Sequence, residues 1–408
     1  MLKNYLFLLI KLLMRFIDIF LFFKNKKIIF HGYQGIPSGN SLALFNYLKS
    51  EDFFAKNLYW TGINNSGKLM QANFRRVPPR NSSIIEHFRY LIFLMSFSVI
   101  ILESAGDLSF YIRFIPKKKR LKIVLFHGFS LKKGGILDPS LSVKQRETWE
   151  EVGKTFDIFS VSSNLQKQLV SKSLGVNENK CVIMGPQRPI GQKTFNKEEI
   201  QNARSLLEKT YGIKFQRNEE IIFYTPTHRD HLETPSRPSL FGFKEIDKLN
   251  NLLKEKNSFL FLREHAISNP SLREHETSNS KTHNKYSNII YTNEFEYLDF
   301  YLILPALKGL ITDYSGIFIE YLLSEVKFGF WHYDLEEYKN IRGLQFNEEI
   351  FNTGVKITNP ETFIDFLSHS SFSDDIRTQR NHWHNLLFEK SNSEALKLSR
   401  DKILSFIK

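Results

Sequence analysis

The chain has 408 residues, 42% hydrophobic and 24% charged, with a net charge of +13. That length suits two domains, and the composition excludes a disordered or low-complexity chain. The single cysteine, Cys181, excludes an internal disulfide and a cysteine-based zinc site and fits a reducing compartment. The positive charge points to an anionic partner: nucleic acid, a membrane surface or a phosphorylated substrate. With no RNA-binding signature, zinc finger or helix-turn-helix pattern, nucleic acid ranks last.

The first element, "MLKNYLFLLIKLLMRFIDIFLFFKNKK", is apolar but interrupted at Lys11, Arg15 and Asp18. With Asn4, these positions recur at helical spacing and form one narrow polar stripe. A spanning helix needs about 20 apolar residues and tolerates central charges poorly. A secretory signal needs an uninterrupted apolar centre and a small-residue cleavage site. The pattern instead predicts an amphipathic helix over residues 1–25 lying in the plane of a membrane, with Lys24, Lys26 and Lys27 beside anionic headgroups. The competing expectation is a helix packed on the protein's own core.

From residue 26 on, apolar strand-like runs alternate with helical patterns. The first half offers strands at 26–31, 98–103, 121–127 and 156–162, with helices at 39–50, 83–97 and 163–173. The second half offers strands at 220–225, 258–263, 288–292, 309–312 and 327–331, with helices at 243–256 and 295–304. Unbroken Ile, Val and Phe runs suit strands buried on both faces, and strand–helix alternation suits parallel sheets. The fold expected is α/β: two doubly wound Rossmann-like domains, 26–190 and 220–370, joined by a Pro/Gly-rich connection at 191–219. Helices at 371–408 follow. The polar segment 266–287 reads as a long surface loop. In such folds ligands bind at the carboxyl ends of the strands, so the chemistry belongs just after them.

Four segments satisfy that rule. "IVLFHGFSLKKGG" places His127 and Gly128 at a strand end, with Lys132 and Lys133 close behind. An imidazole there can act as a general base, and the lysines can neutralise phosphate. "IIFYTPTHRDH" carries Arg229, whose planar fork suits phosphate. His228 and His231 lack a fixed third ligand, which disfavours a metal. "FLFLREHAISNP" ends a strand with Arg263 and His265, and His265, His275 and His283 do not form a metal spacing. "GLITDYSGIFIEYLLSE" turns from a strand through Ser315 and Gly316 into a helix, whose exposed N–H groups suit a phosphate. The plainer reading is that Asp313 or Ser315 caps that helix. Glu320 is placed to accept ribose hydroxyls.

Together "FHGFSLKK", "YTPTHRD", "REHA" and "ITDYSGIFIEYLL…WHYDLEEYKNIRG" resemble the CDP-glycerol glycerophosphotransferase family of teichoic-acid primases and polymerases. The resemblance runs from about residue 26 to 355 in motif order. It implies a GT-B-type fold and peripheral attachment to the cytoplasmic face of the membrane. His127 matches the histidine of the family's Trp-His-Gly-Thr-Pro-Leu-Lys motif, which implies a catalytic role, and His265 matches that of Arg-x-His-Pro. Ser315 matches the first serine of Thr-Asp-Tyr-Ser-Ser, which implies contact with the donor's pyrophosphate. Glu320 stands where an acidic residue holds the ribose, and Arg342 and Gly343 match an Arg-Gly pair. Departures are Phe126 for tryptophan, Ser130 for proline, His228 for tryptophan, Gly316 for serine and Glu320 for aspartate.

The activity so implied is transfer of a polyol phosphate from a CDP-linked donor to a hydroxyl of a lipid-linked or growing surface glycan, releasing CMP. His127 and His265 would be catalytic. Arg229, Ser315, Gly316, Glu320, Arg342 and Lys132 would hold the donor. No carboxylate cluster calls for an obligatory metal, and the pattern is compatible with a loosely held Mg2+. Two other readings stay open: a nucleotide-sugar transferase on the same scaffold, and a non-catalytic nucleotide-binding membrane protein.

Overall fold

The computed structural model describes residues 2–21, 26–63, 73–116, 119–190, 194–227, 240–263, 286–292, 300–368 and 373–408. Two parallel sheets organise the chain. The first comprises β1 (Ile28–His31), β2 (Leu58–Gly62), β3 (Asn73–Arg76), β4 (Val99–Leu102), β5 (Leu121–Val124), β6 (Ile158–Val161) and β7 (Cys181–Ile183), in the order β3-β2-β1-β4-β5-β6-β7. The second comprises β8 (Glu220–Thr225), β9 (Ser258–Leu262), β10 (Ile289–Tyr291), β11 (Leu307–Thr312), β12 (Lys327–Phe330) and β13 (Val355–Lys356), in the order β10-β9-β8-β11-β12-β13. In each sheet the order reverses beside the first strand, between β1 and β4 and between β8 and β11. Those two switch points are where a doubly wound sheet opens a crevice.

The unbroken apolar runs are explained by the two faces they serve. Ile29, Ile100, Leu102 and Val124 enter one core, while Ile28, Phe30, Val99, Ile101 and Ile123 enter another on the opposite face. The second sheet repeats the division, with Ile221 and Phe223 on one side and Ile222 and Tyr224 on the other. Successive residues of a strand point to opposite faces, so a strand covered on both sides has few polar positions, and Lys122 in β5, its ammonium donating to the Ile115 carbonyl at 2.6 Å, is one of them.

The connection between the domains is shorter than the sequence suggests. Helix Lys197–Tyr211 carries Ala203 and Leu207 into the core of the second domain, so the charged stretch assigned to a connection is an amphipathic helix of that domain. Helix Asp374–Leu387 adds Trp383 and Leu387 to the same core. The chain then returns: helix Asn392–Ile407 buries Ile403 and Ile407 in the first domain, and Arg400 grips Glu51 at 2.9 and 3.1 Å. The return is pinned where Glu389 N–H donates to the Ser162 carbonyl at 2.9 Å.

Helix Leu2–Leu21 packs one face on the first domain, as the competing expectation had it. Phe7, Ile10, Met14 and Ile17 face the core, and Asp18 points inward to pair with buried Arg120 at 2.6 Å. The expected outward polar stripe is therefore broken at Asp18: its helical spacing is real, but a buried cation draws it in. The opposite face is apolar and open, with Leu9 64% and Phe20 66% exposed. Among the described residues no helix is long and apolar enough to cross a membrane.

Candidate active site between the domains

The segment after β5 leaves the first sheet and docks on the second domain. Leu131 is buried in the second domain's core, and Phe129 packs edge-on against Phe388 at 5.4 Å. Lys133 N–H donates to the Gly343 carbonyl at 3.1 Å, and Gln345 N–H donates to the Leu131 carbonyl at 2.7 Å. Gly316 completes the seam. A β-carbon there would stand 2.0 Å from the Phe129 carbonyl oxygen, so only glycine allows the turn after β11 to meet this loop. Gly316→Ala is expected to push the domains apart locally, at a cost of about 1–3 kcal/mol. A denaturation midpoint equal to wild type would contradict that contact.

His127 stands at the start of this loop. Its neighbours hold unusual backbone: Phe126 has φ 62° and Gly128 has φ 146°. Both are held from outside. Asn40 Nδ2 donates to the Phe126 carbonyl at 2.8 Å, and Arg188 Nη2 donates to the His127 carbonyl at 2.8 Å. Such over-determined strain is common at reaction centres. The imidazole stacks on Tyr33, with ring centroids 4.2 Å apart. The residue is exposed to solvent, with protein atoms crowding its ring on the Tyr33 side. Desolvation, then the charges of Arg188 and Lys132, push its pKa below the usual histidine value. The ring is thus neutral near pH 7, as a proton acceptor must be.

Across the seam, Asp313 at the end of β11 accepts from Thr227 N–H at 2.7 Å, Thr227 Oγ1 at 2.6 Å and Tyr314 N–H at 2.5 Å. It ties the turns after β8 and β11 together at the switch point. Ser315 caps the next element, its Oγ accepting from Ile317 N–H at 3.4 Å. That element is a 3-10 helix, Gly316–Tyr321, rather than the α-helix expected from "GIFIEYLL". Phe318, Ile319, Glu320 and Tyr321 are all buried, so no polar face is left for a regular amphipathic helix. The capping reading of Ser315 is what the geometry displays. The N–H groups of Gly316 and Ile317 lie beside the seam.

Glu320 is buried and bonded to Arg188. Burial pushes its pKa up against the opposing pull of that guanidinium. Glu103, just past β4, accepts from Asn40 N–H at 2.9 Å and Ser41 N–H at 2.6 Å, and burial raises its pKa to about 7. Arg342 pairs with Asp138 of the first domain and bonds Ser140 Oγ at 3.0 Å. Its cation joins the domains here instead of facing open space. Lys132 lies on the seam, bridged through its backbone to Leu344.

The chain matches the family model described as CDP-Glycerol:Poly(glycerophosphate) glycerophosphotransferase over residues 13–397. It belongs to that family. Its members are transferases of phosphorus-containing groups, as the motif resemblance implied. A teichoic acid glycerol-phosphate primase from Bacillus subtilis (strain 168) is 25% identical over 236 residues, 56% of this chain and 55% of the relative. The match thus spans about half the length of that curated relative. The wall teichoic acid polymerase TagF, in a variant soaked with CDPG, superposes with a TM-score of 0.71 at 17% identity, covering 98% of this chain and 93% of that one. Anabaena HepE in complex with UDP and glucose gives 0.51 at 11% identity, covering 93% and 99%. These structural likenesses establish a TagF-like GT-B fold of two parallel sheets.

The structure brings together, from the family motifs, His127, Lys132, Gly316 and Glu320, with Ser315 adjoining them. Arg229 and His265 lie outside the described residues, as do His228 and His231. Among the described residues no cluster of three or more His, Cys, Asp or Glu has the makings of a metal site. Four residues at the site escaped the sequence reading: Tyr33, Asn40, Glu103 and Arg188. Glu103 carries the signal used for His127, a polar group ending a buried strand. Arg188 sits in "GPQRPIG", just after β7, a strand the sequence reading did not expect.

Proposed function

We propose that this protein transfers a polyol phosphate, glycerol phosphate being the leading candidate, from a CDP-linked donor to a hydroxyl of a lipid-linked or growing cell-surface glycan. The observation that carries the reading is the placement of the His127 imidazole on the seam where the turn after β11 meets the first domain. The donor's diphosphate would sit at Ser315 and the N–H groups of Gly316 and Ile317, flanked by Lys132, with Arg229 and His265 assisting. Glu320 would accept hydroxyls of the donor ribose. His127 takes the acceptor proton as the acceptor oxygen attacks the β-phosphorus. A new P–O bond forms, the bond to the bridging oxygen breaks, and CMP leaves. Such a transfer needs positioning and charge more than covalent help. The chain's own residues supply those without an obligatory metal, and Mg2+ would only supplement the phosphate charge. Purified protein supplied with CDP-glycerol and a membrane-derived acceptor is expected to release CMP in step with mass added to the acceptor. UDP release from a nucleotide sugar would favour the glycosyltransferase reading instead.

The reading also places the protein on the cytoplasmic face of the membrane through its N-terminal helix. Leu9, Leu12, Phe16 and Phe20 form an open apolar face on a helix fixed from behind by Asp18. Exposed apolar area of this kind suits insertion among headgroups and acyl chains. Lys26 and Lys27 follow, each with its ammonium near an aromatic ring, over Phe53 and Tyr59; Lys24 lies outside the described residues. Replacing Leu9, Leu12 and Phe16 together by Glu is expected to abolish flotation with anionic phosphatidylglycerol vesicles while leaving turnover of a soluble acceptor intact. Undiminished flotation would remove the helix from this role.

A further inference from the structure

Arg188 is where the two domains meet through one side chain. The Asn40 amide oxygen holds the backbone N–H groups of Gln187 and Arg188 at 3.0 Å each. The buried guanidinium then reaches both sides. Nη2 bonds the His127 carbonyl at 2.8 Å and pairs with Glu320, while Nη1 lies 4.0 Å from the Glu103 carboxylate. Its plane rests 4.5 Å above the ring of Tyr301. Gly128 allows this convergence, since a β-carbon there would stand 2.6 Å from Glu320 Oε1 and 3.3 Å from Arg188 Nη2. The second oxygen of Glu320, Oε2, is buried without a hydrogen-bond partner. It lines an interdomain recess shared with Asn40, Gly128, Phe129 and Arg188. A buried acceptor left unpaired is costly and calls for a donor.

We propose that Arg188 is a positioning residue of the transfer: it aims Glu320 at the hydroxyls of the donor's sugar and fixes the backbone of His127, so that donor seating and the aim of the base pass through one guanidinium. The proposal rests on the functional reading above. A planar fork is needed for this task, because one group must satisfy two carboxylates and a carbonyl from fixed directions. The same charge faces the imidazole. Among the described residues, the ionic and titratable groups around that ring are Arg188 and Lys132 as cations, Tyr33 stacked on its face, and the carboxylates Glu320 and Glu103 behind the guanidinium.

The test uses the full chain with CDP-glycerol and a membrane-derived acceptor, comparing wild type, Arg188→Gln and Arg188→Lys. For Arg188→Gln, kcat is expected to fall about 100-fold, the scale set by losing one preorganised donor. The acid limb of its kcat/KM profile should move to higher pH, because a cation facing His127 is gone. Arg188→Lys keeps the charge but not the fork, so its acid limb should stay in place while kcat still falls about tenfold. A melting temperature recorded for each variant separates this from unfolding. Arg188→Gln with wild-type kcat and an unmoved acid limb overturns the proposal. So does a loss of kcat that tracks a lowered melting temperature with no change in the pH profile. Failure of the wild type to release CMP sinks the functional reading itself, whereas wild-type turnover with indifferent Arg188 variants sinks only this inference.

Discussion

Replacing His127 by Asn lowers kcat by about 10²–10⁴-fold, the range set by losing a general base, while CDP-linked nucleotide still binds. The size of the effect follows from position. The ring sits where the first domain's loop crosses to the second, stacked on Tyr33 and flanked by Arg188 and Lys132. The donor-side groups, Ser315, Gly316 and Glu320, belong to the other domain and remain in place. The pH dependence has a definite sign. Desolvation and two cations hold the histidine's pKa below its ordinary 6.5, so the base is neutral over the whole physiological range. The acid limb of kcat/KM should therefore lie below 6.5, with activity lost as pH falls through the lowered value. A wild-type limb above 7, or an Asn variant with undiminished kcat, would show that another group takes the proton.

The second large effect is on stability. Asp18→Ala leaves the Arg120 guanidinium buried without its carboxylate, which costs about 3–5 kcal/mol. Arg120 is 1% exposed and also donates from Nε to the Met95 carbonyl at 3.0 Å, so it has no route to water. Asp18 is a position that a helical wheel assigns to the polar stripe, yet it pairs inward. A lowered denaturant midpoint and faster proteolysis near residue 20 are expected. Unchanged stability would mean that the helix is held by its apolar contacts alone. A double variant, Asp18→Leu with Arg120→Met, should recover most of the loss, because replacing a buried pair by apolar groups is often neutral.

Much of the architecture was readable because burial leaves a local trace. Strands covered on both faces cannot hide their apolar runs: β1, β4, β5, β6, β8, β9, β10 and β12 fall inside the stretches expected, and β11 overlaps its stretch but starts at Leu307. Among the strands that were not expected, β2 is buried but short, and β3 and β7 lack that trace. β3 is "NFRR", an edge strand largely open to solvent, and β7 has only three residues. The same logic divides the site. His127 and Ser315 stand at strand ends, where chain order alone signals chemistry. Arg188 acts on Glu320 across 132 residues of sequence, and no periodicity encodes such a contact. Arg342 shows the converse: its motif suggested phosphate, yet a carboxylate 204 residues away takes its charge. Pattern reports which face a residue serves, whereas the partner on that face is set by the tertiary fold.

The most direct measurement is a crystal structure of the His127→Asn variant soaked with CDP-glycerol. The account predicts a diphosphate at Ser315 and the N–H groups of Gly316 and Ile317, the ribose on Glu320, and the β-phosphorus facing residue 127 across the seam. A nucleotide bound elsewhere, or one whose β-phosphorus points away from residue 127 with the domains closed, would contradict it.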